Sequence, residues 1–319
     1  MKLIVPKYYQ NFKCLGGECS DNCCIGWEID IDERTREKYF GLHTSLGERI
    51  RKSTVTEDGV CHFVLCGERC PFLNSKNLCD IIIEKGEDYL SDICREHPRY
   101  YTTLGDNVFG GVGMCCEAAA ELILTSTETG EYITLDTDGE REDCDGELLQ
   151  IYLDLREEIA KIFERETQSI VYAKEALQKS VAIAQARADG EAEIPCKLRE
   201  LSHKELVETV ENLELMSEEL PALLRDCVNK KPAEADVENI NKYLHNILLY
   251  FLERYMPGAV CDGDFLGKLN IALFSISVLE TLFGAEENLT LERAVYLAKL
   301  YSKEVEYNEE NVEKISYIS

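Results

Sequence analysis

Eleven of the 15 cysteines in this 319-residue chain fall before residue 117, and their spacing is the first feature that could do chemistry. The run Cys14-Leu-Gly-Gly-Glu-Cys19-Ser-Asp-Asn-Cys23-Cys24 places four thiols in eleven residues. Cys61, Cys66, Cys70, Cys79, Cys94, Cys115 and Cys116 complete the group, with the doublets Cys23-Cys24 and Cys115-Cys116 at its two ends. Soft thiolates supplied by separate loops can converge on one zinc ion or one iron–sulfur cluster. The paired Cys-x2-Cys knuckles of a zinc ribbon are absent, and a doublet points poorly at a single tetrahedral ion. The pattern therefore favours iron–sulfur, with zinc left open. The Cys-x3-Cys-x2-Cys set of a radical enzyme is also missing: Gly26 follows Cys19-x3-Cys23, and Leu73 follows Cys66-x3-Cys70.

Fewer signals lie outside the thiols. Gly110-Gly111-Val112-Gly113 has the composition of a loop that lets backbone amides approach a cofactor, or of a plain turn. Arg95 and Arg99 flank His97-Pro98 and suit a carboxylate, or a surface ion pair in an acidic chain. Tyr100 and Tyr101 could line a channel for a lysine side chain, or simply pack. His62 and His97 read as satisfied histidines rather than ligands. No Ser/His/Asp set, phosphate loop or His-Glu-x-x-His pair is present.

The elements that must position these groups divide by composition. Residues 1–125 read as a cysteine-cluster domain: an extended lead-in, a short strand on Ile29 and Ile31, a helix over 33–52 and a hairpin from Cys70 to Cys79. A helix over 81–93 and another over 117–125 complete it. Residues 126–146 are polar and acidic and read as a linker. Residues 147–319 read as a helical bundle, from apolar residues at steps of three and four such as Leu148, Tyr152, Leu155 and Ile159, then Ile240, Leu244, Ile247 and Phe251. Ser202 and Glu205 have capping-box spacing, and Thr290 can cap the last helix. The expected fold class is mainly α, a cysteine-rich metal-cluster domain with short strands and helices followed by a C-terminal helical bundle. Cys144, Cys196, Cys227 and Cys261 are widely spaced and read as small apolar residues.

Charge and compartment narrow the function. The formal net charge is -27, spread over both halves, so neither half is a platform for nucleic acid or an anionic membrane surface. A cationic partner, such as a protein bearing lysines, suits that field. The N-terminus lacks the apolar run of a signal peptide, and no stretch of ~20 apolar residues is evident, so the expected location is cytoplasmic. Thiols stay reduced there, which favours metal binding over disulfides.

The combination of Phe12-Lys-Cys14, Cys19-x3-Cys23-Cys24-x-Gly26-Trp27, Cys70-Pro-Phe-Leu, Cys79-Asp-Ile, Cys94-Arg-Glu-His-Pro-Arg99 and Cys115 resembles the flagellin lysine-N-methylases and the wider group of zinc- or iron-chelating cysteine-cluster proteins. The likeness covers roughly residues 5–120. It implies transfer of a methyl group from S-adenosylmethionine to surface lysines of flagellin, with flagellin as partner. It also implies an iron–sulfur cluster, of 4Fe-4S type, or zinc, held by members of the set Cys14, Cys19, Cys23, Cys24, Cys70, Cys79, Cys94 and Cys115. From the residues themselves, Arg95, Arg99, Gly111 and Gly113 are candidates for the cofactor, and Tyr100 and Tyr101 for catalysis. The alternative is a non-enzymatic metal chelator. Methylation imposes one demand of its own. A lysine amine, ordinarily protonated to pH ~10.4, must lose its proton before it attacks a sulfonium methyl, so a Tyr or carboxylate acceptor in a less polar interior is expected.

Overall fold

The computed structural model describes residues 1–318 apart from 28, 165–168, 195–199, 228–229 and 231–236. Glu28, next to the expected strand, and Cys196 therefore lie outside the described residues. The chain is mainly α with a C-terminal helical region. It divides into two compact units, and the division differs from the one composition suggests. One unit comprises residues 13–99 and 116–118; the other takes in residues 1–12, 100–115 and 119–319.

The cysteine-rich unit, residues 13–99 with 116–118, has short elements around one apolar core. α1 (Glu33–Phe40) starts on Asp32, whose side chain accepts from Thr35 N–H. α2 (Ser45–Lys52) starts on Thr44 rather than on Ser45, so the helix expected over 33–52 is two helices broken at Gly41 to Thr44. β1 and β2, at Thr54–Glu57 and Val60–Phe63, form an antiparallel hairpin. Its turn is Asp58-Gly59, both at positive φ (49° and 88°), the geometry whose twist matches paired strands. Ile29 and Ile31 are buried while Asp30 is exposed, as alternation requires. They form a bridge rather than a full strand: Ile31 N–H donates to Cys61 O at 2.7 Å and Phe63 N–H to Ile29 O at 3.1 Å. The helix expected over 81–93 is α3 (Asp80–Lys85) and α4 (Asp92–Glu96), separated at Gly86 with φ 85°. Tyr39, Leu46, Ile50, Phe63, Phe72 and Ile81 form the core, and Cys61 and Cys70 are buried in it.

The second unit joins a sheet to the helices. Its strands are β3 (Lys2–Pro6), β4 (Arg99–Leu104), β5 (Asn107–Val112) and β6 (Tyr132–Asp136), in spatial order β4-β5-β3-β6. β3 runs parallel to β5, with Ile4 opposite Phe109, and antiparallel to β6, with Val5 opposite Ile133. The expected linker thus contributes an edge strand, and the expected lead-in an interior one. That pairing draws residues 1–12 and 100–115 away from the cysteine-rich unit, because strand partners are set by tertiary contact and not by position in the chain. Gly110 and Gly111 lie within β5, so the expected glycine loop is a buried strand. Its glycines leave room for tyrosines: a Cβ on Gly110 would stand 2.7 Å from Tyr101 Cδ1, and one on Gly111 2.7 Å from Tyr100 Cζ.

The helices follow as α5 (Glu117–Thr125), α6 (Gly146–Phe163), α7 (Ile170–Ala188), α8 (His203–Glu211), α9 (Glu219–Asp226), α10 (Val237–Tyr255), α11 (Ala259–Asp262), α12 (Phe265–Gly284), α13 (Leu291–Val305) and α14 (Glu309–Ser316). Their starts carry the expected signals. Ser202 and Glu205 form a reciprocal capping box on α8, and Thr290 accepts from Arg293 N–H on α13. α12 packs against α7, α10, α13 and α14. By length and composition α12 could cross a membrane, which corrects the reading that no stretch is so apolar. Its Leu269, Ile276, Leu279 and Phe283 are buried against neighbouring helices, as in the core helix of a bundle. Burying each such side chain is worth about 1.5–3 kcal/mol.

Candidate functional site

Seven of the eight candidate ligand thiols belong to the cysteine-rich unit, and five of them share one neighbourhood. Cys23 and Cys24 sit in the turn before Gly26. Backbone pairing joins that turn to the next thiol segment, with Cys70 N–H on Cys24 O at 2.8 Å and Gly26 N–H on Glu68 O at 2.7 Å. Cys79 is the N-terminal residue flanking α3, brought back by the bridge between Leu73 and itself. The Asn74–Asn77 turn makes that return possible: Asn74 Oδ1 accepts from Lys76 N–H at 2.9 Å and Leu78 N–H at 3.2 Å. Cys94 lies within α4. Cys24, Cys79 and Cys94 pack against the same apolar core that buries Cys70.

The electrostatics show the thiols as neighbours. Burial pushes Cys70 up to about 12, with Cys94 and Cys79 adding to the rise. Burial also pushes Cys94 up to about 11, helped by Cys23 and Cys79, and raises Cys79. Cys23 and Cys24 are close enough to hydrogen-bond to each other, which lowers Cys23 and raises Cys24. In donor type and shared neighbourhood these five suit a soft metal or an iron–sulfur cluster. Among the described residues, however, no three Cys, His, Asp or Glu side chains are grouped to hold one ion, so a formed metal-cluster domain is not what the structure presents.

The remaining three are placed differently. Cys14 is exposed, and its Sγ accepts from Gly16 N–H at 3.3 Å. Cys19 donates to Asp21 O at 3.2 Å and stands beside Glu117 and Cys116. Cys115 belongs to the other unit. Arg95 is engaged by Asp92 and by Glu96, the latter at 3.3 Å, and donates to Leu90 O; Arg99 donates to Arg95 O at 3.4 Å. The ion-pair reading of Arg95 is therefore the one the structure displays. Tyr101 is 43% exposed with its hydroxyl 3.0 Å from that of Tyr9. Gly113 follows the end of β5.

Tyr100 leads to a feature the sequence reading missed. It is half-buried in the sheet–helix unit, with Arg254 4.8 Å above its ring, and its hydroxyl is sealed from solvent with no hydrogen-bond partner. Nearby, α10 turns Asn246, Leu249, Tyr250 and Glu253 inward at steps of three and four. Glu253 lies among Tyr8, Tyr132, Tyr152 and Arg156, and burial pushes its carboxyl up to about 7. Hydrogen bonding from Tyr132, the charge of Arg156 and hydrogen bonding from Tyr8 offset part of that rise. The Glu253 residue keeps some exposure while its Oε2 is sealed from solvent. Arg156 stacks 3.8 Å from the Tyr132 ring centre, a cation–π contact that fixes the wall of the site. Next to Arg254, Glu306 accepts from Tyr255 at 2.9 Å and from Tyr250 and pairs with Arg254 at 2.8 Å, which uses up those charges. The available signal was the inward phase of Glu253 on the Asn246–Leu249 face of α10.

The comparisons point to one class of relatives. No family model matches the chain, and no solved structure does. It is 26% identical over 130 residues to the flagellar biosynthetic protein FliU of Salmonella muenchen, covering 39% of this chain and 77% of that one. It is 29% identical over 138 residues to proteins named lysine-N-methylase from Salmonella choleraesuis and Salmonella typhimurium, covering 39% of this chain and 32% of each of those. The match thus spans about a third of the length of the two methylases. The relationship is distant and partial.

Proposed function

We propose that this chain is a protein-lysine N-methyltransferase that uses S-adenosylmethionine and acts on flagellin. The observation that carries the reading is its similarity to proteins named lysine-N-methylase and to FliU. In the reaction the lysine nitrogen loses one proton, its lone pair forms the new N–C bond, and the sulfonium S–C bond breaks with its electron pair passing to sulfur. The chain's acidity favours approach of a lysine-bearing surface. Cys23, Cys24, Cys70, Cys79 and Cys94 are the residues that would hold an iron–sulfur cluster or zinc. When bound, such a group would supply a Lewis-acidic metal that could orient a carboxylate or amine through an open coordination position. The thiol group alone favours a second reading, a metal chelator without catalysis.

The test is to express the cognate flagellin in a host that does not modify it, with and without this protein, and to record intact masses. A ladder of added methylene masses is expected, lost in the Cys23→Ser/Cys24→Ser variant if the thiol centre is needed. Unmodified flagellin alongside metal-loaded wild-type protein would overturn the methylase reading and favour the chelator.

A further inference from the structure

Ser91 stands just before α4, where a serine hydroxyl ordinarily accepts a hydrogen bond from the first turn of the helix. It does not do so here. That turn is served by Asp32 instead. Asp32 Oδ1 accepts from Thr35 N–H at the start of α1, and its Oδ2 accepts from Asp92 N–H at the start of α4, both at 2.9 Å. Ser91 is 1% exposed, so its hydroxyl is kept inside the cysteine-rich unit without the task its position assigns. Three residues on, Cys94 lies on the same turn and packs against the apolar core. Hydrogen bonding from Ser91 opposes the burial that raises the Cys94 thiol. Two neighbouring thiols are met by backbone: Phe72 and Leu73 hydrogen-bond to Cys70, and Ile82 and Ile81 to Cys79. For Cys94 the donor is a side chain, which substitution can remove.

We propose that Ser91 positions Cys94 for metal binding, its buried hydroxyl donating a hydrogen bond to the Cys94 sulfur. This role rests on the reading of Cys94 as a ligand of the thiol centre, and it holds for a methylase and for a chelator alike. A thiolate in apolar surroundings is costly unless a donor answers its charge, and a hydroxyl beside it does so without adding a second charge. The same donor occupies one side of the sulfur and leaves another for the metal, as the outer partners of metal ligands do. Among the described residues no three donors are grouped to hold one ion, so loading must draw the thiols together. A donor fixed beside Cys94 restricts the directions in which its sulfur can turn as they close.

The experiment is an anaerobic optical titration of the whole reduced chain with Co²⁺, whose thiolate-to-cobalt charge-transfer band reports sulfur ligation directly. Saturable growth of that band is expected for wild type. In Ser91→Ala the affinity is expected to fall about tenfold or more. The band should also move to lower energy, because a sulfur without its hydrogen bond gives up electron density more readily. Ser91→Thr, which keeps the hydroxyl, should restore both. Ser91→Gly also lacks the hydroxyl and is well tolerated before a helix, so it carries the test if Ser91→Ala fails to fold. A loss of affinity with the band unmoved would show a structural role only and overturn the proposal. So would wild-type affinity and band position in either folded variant, or a folded Ser91→Thr that behaves like Ser91→Ala. Wild type that shows no thiolate–cobalt band removes the thiol centre itself, and Ser91's role with it. Cobalt held identically with and without the hydroxyl leaves the centre and removes only Ser91.

Discussion

Glu253 concentrates the chemistry of the sheet–helix unit in one titration. In the unfolded chain its carboxyl ionises near 4.5, and in the folded chain near 7. Between those values the folded state binds more protons than the unfolded state, so its contribution to stability falls as pH rises and levels off above about 7. The full span is worth roughly 3 kcal/mol. Burial lowers His97 and His245, whose contributions slope the opposite way, so the informative quantity is the difference between wild type and Glu253→Gln. Urea unfolding at pH 5 and pH 8 should show the wild type losing stability relative to the variant at the higher pH. Parallel behaviour at both would mean that Glu253 titrates as an ordinary carboxylate. At the same scale, the Cys23–Cys24 pair shows what adjacency does: the two thiols shift each other in opposite directions.

At the scale of elements, the β4–β5 pair explains why a glycine run reads as a loop and folds as a strand. Gly105 at φ 61° makes the tight connection, and Gly110 and Gly111 then leave space for the rings of Tyr101 and Tyr100. Gly111→Ala should cost about 1–3 kcal/mol by overpacking, measured by thermal or urea unfolding. Adding Tyr100→Phe should restore part of the loss, because it removes the tyrosine atom nearest the new methyl. Full additivity of the two changes would place the clash elsewhere. The Asp58-Gly59 hairpin teaches the complementary lesson. Its dipeptide is a strong local turn signal, set among thiols that dominate the surrounding sequence pattern.

Taken as a whole, the molecule is built on an exchange of sequence neighbours. β3 is an interior strand between β5 and β6, so five residues near the start of the chain pair with segments more than a hundred residues further on. Val5 is fully buried there. Val5→Asp introduces an unpaired charge into that core, at a cost of several kcal/mol. Circular dichroism under urea should show the helical signal lost at clearly lower denaturant than in wild type. An unchanged midpoint would mean that the sheet contributes little to the stability of its unit.

The sequence by itself determined the helical character of the second half, its caps at Ser202 and Thr290, and the thiols as the chemically distinctive residues. These are local properties: a 3.6-residue apolar period, a side chain that can reach a free N–H three residues on, a density of one residue type. It also supplied the reaction's demand for a proton acceptor. Only the tertiary structure decided that five of the eight candidate thiols collect while Cys14, Cys19 and Cys115 are placed otherwise. It likewise decided that residues 1–12 and 132–136 belong to one sheet, and that Glu253 faces three tyrosines and an arginine drawn from separate elements. Strand partners, burial and the proton affinity of a carboxyl all depend on which distant segments meet, and a one-dimensional pattern carries no record of those meetings.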